Sequence, residues 1–266
     1  MKAFCIDLDG TLLKSDSTVS DINKDSIRKA INKGNKVFIV TGRPYCFAKY
    51  IAQQIHKDVE VISFNGACYS KGKHMVINYI NPETLIETID IIKASNCTSF
   101  FKGKNLFYTT GNYDARFLYD NLNDKTLDDL KVKSYINLSW DEIIHNAKDI
   151  IKILVYSYEK KDIDNLLIKL QKVKGLGLSR YMDISVDITA ENTDKGKAID
   201  DVMSYYGISK SEIVAIGDSA NDIPMLTRAG CSIAMGNAKE EIKEICDTIT
   251  LSNDEHGVSY AIENLI

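Results

Sequence analysis

The chain has 266 residues, 44% of them apolar, and carries 33 Lys and Arg against 37 Asp and Glu for a net charge of −4. That length suggests one large domain or two of moderate size, and the composition excludes intrinsic disorder. A mildly acidic balance gives no broad attraction for nucleic acid or anionic lipid. Asp7 and Asp9 interrupt the N-terminal region where a secretory signal needs an unbroken apolar run. No apolar stretch approaches the roughly 20 residues of a membrane helix. The six cysteines are scattered, with no C-x-x-C pair, and read as buried thiols of a cytoplasmic protein.

In chain order, Lys2–Leu8 is a short apolar strand that ends at Asp9-Gly10. Residues 21–33 place Ile27, Ala30 and Ile31 at helical spacing and stop at Gly34. Lys36–Val40 reads as a second buried strand. Pro44 opens a helix whose stripe is Phe47, Tyr50, Ile51 and Ile55, and Glu60–Phe64 is a third strand. Strands alternating with helices imply right-handed crossovers and a parallel sheet. The middle changes character. Ala67–Ser70 and His74–Ile80 form a hairpin, and Pro82 opens a helix carrying Leu85, Ile86, Ile89 and Ile92. A second hairpin pairs Thr98–Lys102 with Asn105–Thr110, and residues 112–148 read as short helices and loops. A strand, Ile150–Tyr156, then precedes a helix with Ile163, Leu166, Leu167, Leu170 and Val173. Met182–Ile188 alternates strictly, predicting one buried and one wet sheet face. From Lys195 the first pattern resumes: helix Lys195–Tyr206, strand Glu212–Ile216, helix 220–229, strand Cys231–Met235, helix 238–245, strand Thr248–Leu251 and a final helix from His256. The fold class is α/β: a doubly wound, mostly parallel sheet core, 1–81 with 189–266, interrupted by an inserted α+β domain, 82–188.

The chemistry-bearing residues gather at the ends of the core strands, where open α/β sheets bind ligands. Asp7 and Asp9, at i and i+2, project to one side of the first strand. Two such carboxylates both ionise only with a cation between them, and a hard cation such as Mg²⁺ prefers oxygen ligands. Asp218 abuts a second buried strand, and Asp222 follows in the first helical turn, a position that suits the helix dipole as well as a cation. Thr41, Gly42 and Arg43 end a third strand; hydroxyl, glycine N–H and guanidinium all match phosphoryl oxygens, though Thr41 also suits a helix cap. Lys195 opens a helix against its dipole, and Lys197 is an equal candidate by spacing. The aromatic residues Phe100, Phe101, Phe107, Tyr108 and Tyr113 read as insert core.

The order Asp7-x-Asp9-x-Thr11, Thr41, Lys195, then Gly217-Asp218-x-x-Asn221-Asp222 resembles the haloacid dehalogenase superfamily of phosphotransferases. The strings FIVTGRP, SFNGA, DITAENTDKGKAI, AIGDSANDIPML and AMGNA are similar to its Cof-like hydrolases with a C2B cap, and the insert matches that cap in length and pattern. The resemblance implies that Asp7 is the nucleophile that forms an aspartyl-phosphate. Asp9 is then the acid and base, and Lys195, chosen over Lys197, offsets the charge. Mg²⁺ is expected on the Asp7 carboxylate, the Asp9 carbonyl and Asp218, with Asp222 supporting from behind. Thr41, Asn221 and the backbone near Leu8 and Gly42 are expected to bind phosphoryl oxygens, Thr11 to help position Asp9 and bind substrate, and Arg43 and Asn65 to contact substrate. The expected activity is a Mg²⁺-dependent phosphatase of small phosphorylated metabolites, sugar phosphates first, then cofactor phosphates such as pyridoxal phosphate or flavin mononucleotide. The alternatives are a phosphomutase or phosphotransferase with the same intermediate, or a phosphate-binding module without turnover. The expected partner is that small metabolite, with no nucleic acid and no membrane, on a monomer or small homo-oligomer.

Overall fold

The structure, a computed structural model, describes residues 1–111 and 130–266. They divide into two compact units, Met1–Val76 with Asp194–Ile266, and Ile77–Thr193. The inserted unit therefore begins at 77, not 82, and ends at 193, not 188.

The chain enters through β1 (Ala3–Ile6), β2 (Lys36–Val40), β3 (Glu60–Ser63), β4 (Cys68–Lys71) and β5 (His74–Ile77). The insert supplies β6 (Thr98–Lys102), β7 (Leu106–Tyr108), β8 (Lys133–Tyr135), β9 (Lys152–Tyr156), β10 (Leu176–Met182) and β11 (Ser185–Ala190). The chain then returns through β12 (Ile213–Gly217), β13 (Cys231–Ala234) and β14 (Thr248–Ile249).

The first unit holds an eight-stranded sheet in the order β14-β13-β12-β1-β2-β3-β4-β5. Its six strands from β14 to β3 are parallel, and β4 turns back antiparallel on β3. β1 and β12 are buried at every position, as strands covered on both faces must be. Their flanking helices form two groups. Asp21–Asn32 packs against Tyr45–Ile55 and Gly257–Asn264, while Lys195–Tyr206 packs against Ile223–Leu226. Chain order runs one way from β1 to β3 and the other way from β12 to β14, so the topological switch lies at β1. Several elements are shorter than their apolar pattern suggests. The 220–229 helix is a 3₁₀ turn plus Ile223–Leu226, the 238–245 helix is Glu240–Lys243, and the last strand is Thr248–Ile249. In the Tyr45–Ile55 helix, Ile51 and Ile55 are buried as expected, whereas Phe47 and Tyr50 remain half-buried.

The second unit is a six-stranded sheet, β10-β11-β9-β6-β7-β8, antiparallel except for the β7–β8 pair. Leu85, Ile89 and Ile92 of helix Pro82–Lys93 share its core with Phe101, Ile153, Val155, Val186 and Ile188, and with Ile163, Leu166 and Leu170 of helix Lys160–Leu170. Ile86 is 40% exposed. Phe100, Phe101, Phe107 and Tyr108 are all buried; Tyr113 lies outside the described residues, as does much of the 112–148 segment. The alternating run Met182–Ile188 is two strands, because Asp183 and Ile184 form the turn between β10 and β11. The predicted wet face fails on β11: Ser185 and Asp187 are buried, and Asp187 accepts from Lys152 Nζ at 2.7 Å. β11 lies between β10 and β9, and the pair bridges diagonally placed positions of β9 and β11. Among the described residues, no helix is long and apolar enough to cross a membrane. The six cysteines are free thiols; Cys5, Cys46 and Cys68 are buried, and Cys97, Cys231 and Cys246 half-buried.

Candidate active site

Strand pairing continues one residue past each central strand and so fixes the first side chains of the site. The Asp7 N–H donates to Ile216 O at 3.0 Å beside β12, and the Thr41 N–H donates to Ile62 O at 2.8 Å beside β3. After Asp7 the chain makes a single turn, closed by Leu12 N–H to Asp7 O at 3.2 Å and Leu13 N–H to Leu8 O at 2.8 Å. Gly10 sits in the left-handed region at φ +74, and a Cβ there would run into the Asp218 carboxylate. Asp9 therefore lies in a turn, not on the strand, and the two carboxylates do not share a face as strand alternation predicts.

Lys195 occupies the centre. It has no exposed surface, and its Nζ donates to Asp7 Oδ1 and to Asp222 Oδ1, both at 2.6 Å. Lys197 instead stays on the surface near Asp194. Asp194 caps the helix by accepting the Lys197 N–H at 2.8 Å, which sets Lys195 in its first turn. Asp222 is fully buried, and its second oxygen accepts the backbone N–H groups of Asp218 and Ser219, each at 3.0 Å. Both Asp222 oxygens are thus committed within the protein. Thr11, expected to help position Asp9 and bind substrate, is buried and gives its hydroxyl to Asp218 Oδ1 at 3.1 Å.

Oxygens of Asp7, Asp218 and Asp222 lie within 4.8 Å of one another, so three carboxylates face one ammonium. The Asp7 carboxyl is pushed well above its usual value, by burial first and then by Asp222, with Lys195 pulling it back. Asp218 is pushed up to about 6, by burial and then by Asp222, against the Thr11 hydroxyl and Lys195. Burial opposes the charge on Lys195, but Asp222 and Asp7 outweigh it and raise the ammonium's pKa. The cluster holds more negative charge than its one cation neutralises. Among the described residues the second oxygens of Asp7 and Asp218 accept no hydrogen bond. That donor set, all oxygen and anionic, fits a hard divalent cation.

The Asp9 carboxylate is turned out of this cluster. Arg43 takes both its oxygens, with Nε at 3.0 and 2.7 Å and Nη2 also on Oδ1. The guanidinium lies 4.2 Å from the centre of the Phe47 ring. Thr41 is buried, and its oxygen accepts the Arg43 N–H at 3.1 Å, leaving the hydroxyl hydrogen to donate elsewhere. Leu8 and Gly42 lie two residues past the ends of β1 and β2. Asn65, at φ +54 after β3, accepts from Asn221 Nδ2 at 3.2 Å, so these two predicted ligands of substrate meet each other. Sequence reasoning placed Phe47 in the helix core and passed over Ser219. The four-residue spacing from Arg43 to Phe47 across Pro44 was a usable signal for the first. Ser219, between Asp218 and Asn221, donates its hydroxyl to Asn221 Oδ1 at 2.7 Å.

A family model described as haloacid dehalogenase-like hydrolase matches residues 4–262. The phosphatase YwpJ of Bacillus subtilis is 31% identical over all of both chains. The 5-amino-6-(5-phospho-D-ribitylamino)uracil phosphatase YwtE of the same organism is 29% identical over all of this chain and 98% of its own. Among solved structures, a haloacid dehalogenase-like hydrolase from B. subtilis aligns over all of both chains with a TM-score of 0.86 at 28% identity. A subclass IIB sugar phosphatase of the same superfamily aligns over all of this chain and 99% of its own, with a TM-score of 0.81 at 25% identity.

Proposed function

The chain belongs to the haloacid dehalogenase-like hydrolases and is a phosphatase, and we propose that it hydrolyses small phosphorylated metabolites with Mg²⁺, through an aspartyl-phosphate on Asp7. The observation that carries this reading is the buried Lys195, clamped between Asp7 and Asp222 beside Asp218 at the switch point of the sheet.

Lys195 holds the Asp7 carboxylate through Oδ1, so the second oxygen is presented to phosphorus. Its attack forms the Asp7 O–P bond and breaks the bond from phosphorus to the leaving oxygen, to which Asp9 gives a proton. A water then loses its proton to Asp9, attacks phosphorus and breaks the Asp7 O–P bond, releasing phosphate. Thr41, Asn221 and the backbone N–H groups near Leu8 and Gly42 hold phosphoryl oxygens in place, and Asn65 adds a substrate contact. Arg43 exchanges Asp9 for the incoming phosphoryl group, a dianion that suits its planar donors equally well; that exchange frees Asp9 to act. The residues that would hold the metal are Asp7 and Asp218 by carboxylate and Asp9 by its backbone carbonyl, with Asp222 fixing the Asp218 backbone from behind. When bound, Mg²⁺ neutralises charge and orients the phosphoryl group. The inserted unit, Ile77–Thr193, is a cap that selects the leaving group, and the free thiols suit a cytoplasmic setting.

Sugar phosphates are the first substrates to test, then pyridoxal phosphate, flavin mononucleotide and the phosphorylated ribitylaminouracil that names a relative. Phosphate release is measured for this panel with Mg²⁺ and with a chelator, for the wild type and Asp7→Asn. Release is expected from the wild type with Mg²⁺ alone, and none from Asp7→Asn at an unchanged melting temperature. Turnover by a folded Asp7→Asn variant would overturn the nucleophile.

A further inference from the structure

The residues Met235-Gly236-Asn237-Ala238 follow β13 and take no part in the chemistry above. The Asn237 side chain is exposed, yet both ends of its amide are committed. Nδ2 donates to the Gly10 carbonyl at 2.8 Å, and Oδ1 accepts the Asn253 backbone N–H at 3.0 Å. Asn253 reaches the same segment again, donating Nδ2 to the Leu13 carbonyl at 2.9 Å. Its neighbour Asp254 accepts the Ser15 N–H at 2.9 Å and the Ser15 hydroxyl at 2.6 Å. Gly236 permits this approach, since a Cβ there would stand 2.8 Å from the Ser252 nitrogen, one residue before Asn253.

Gly10 is the softest point of the turn that carries Asp9, having no side chain and a left-handed backbone. The turn's own backbone bonds run from Leu12 to Asp7 and from Leu13 to Leu8, and leave the Gly10 carbonyl to Asn237. We infer that Asn237 is a positioning residue that fixes the Gly10 peptide and, through it, the direction in which Asp9 presents its carboxyl. This rests on the reading of Asp7 as nucleophile and Asp9 as acid. Asn237 touches neither substrate nor metal; its effect passes through one carbonyl.

The test compares kcat/KM for an alkyl phosphate and for p-nitrophenyl phosphate in the wild type, Asn237→Asp and Asn237→Ala. This parameter covers the steps up to phosphoryl transfer onto Asp7. Protonation by Asp9 matters there for an alkoxide and little for p-nitrophenolate, which leaves readily. Asn237→Asp keeps the acceptor for Asn253 but turns an oxygen toward the Gly10 carbonyl. Alkyl phosphate turnover is expected to fall at least about tenfold in both variants, and that of p-nitrophenyl phosphate less than about threefold. Melting temperatures should stay within about 3 °C of the wild type, because Asn237 is exposed. Lys239→Ala, exposed on the same segment, serves as the neutral control. Equal losses for the two substrates, or no loss, overturn the inference. A wild type that hydrolyses neither substrate overturns the reading beneath it instead.

Discussion

Lys195→Met removes one ammonium and keeps nearly the same side-chain length. Lys195 has no exposed surface, Asp222 has none, and Asp7 is 4% exposed. Methionine makes neither of the 2.6 Å bonds to these carboxylates, so two buried acids lose their shared counter-charge. Removing one side of a buried ion pair costs about 3–5 kcal/mol. The loss does not double, because Asp7, already held above its usual range, escapes part of it by taking up a proton. In a chain of this size 1 kcal/mol shifts the melting temperature by about 2–4 °C, so a fall of roughly 6–20 °C is expected in metal-free buffer. Adding Asp222→Asn to that background should recover part of the loss, since it deletes one of the stranded charges. Thermal unfolding of the four proteins in this cycle decides the matter. A fall below about 3 °C, or an Asp222→Asn effect of equal size in both backgrounds, refutes the shared clamp.

Arg43→Met should raise KM for phosphorylated substrates by about tenfold or more, the scale of a lost charge-assisted contact. Its melting temperature should barely move, because the Arg43–Asp9 pair is partly exposed and such pairs add little stability; a fall in stability with unchanged KM assigns Arg43 to holding the loop. In the inserted unit, Lys152→Met takes the ammonium from the buried Asp187 and should destabilise by about 3–5 kcal/mol. Lys152→Met with Asp187→Leu should recover most of that in urea unfolding, and a double variant no more stable than the single would show that the pair is not the source.

The parts of the site that were legible in the sequence are those built locally. A buried apolar run followed at once by Asp7, Thr41, Asn65 or Asp218 states both the strand and the side chain at its end. Lys195 was less legible, because Lys197 carries the same charge two residues on. Burial beside β1 separates them, and only the resemblance pointed to Lys195. Pairings across long stretches of chain were not legible. Arg43 lies 34 residues from Asp9, and no local rule says that a guanidinium takes both oxygens of one acid in a group of four. Asp187 read as a wet-face residue because its partner is 35 positions away, on a strand two places removed in chain order. The β10–β11 turn was hidden by Ile184, an apolar residue in the turn itself, which carried the alternation through the break. β8 was missed because none of its three residues, Lys133, Ser134 and Tyr135, is buried, so this edge strand carries no apolar pattern.

The central β1–β12 pair has a consequence for how the chain is made. Ile6 lies opposite Ile216, so β1 waits for one of its two neighbours until about 210 further residues have left the ribosome. At ordinary elongation rates that wait is on the order of 10–40 s, long enough for Ile77–Thr193 to emerge whole. Asp7 is synthesised well ahead of Lys195, Asp218 and Asp222, the charged groups that surround it in the folded site. No nascent fragment that ends before Lys195 holds Asp7 with its counter-charge, and the buried carboxylate gains that partner only after the whole inserted unit has been made.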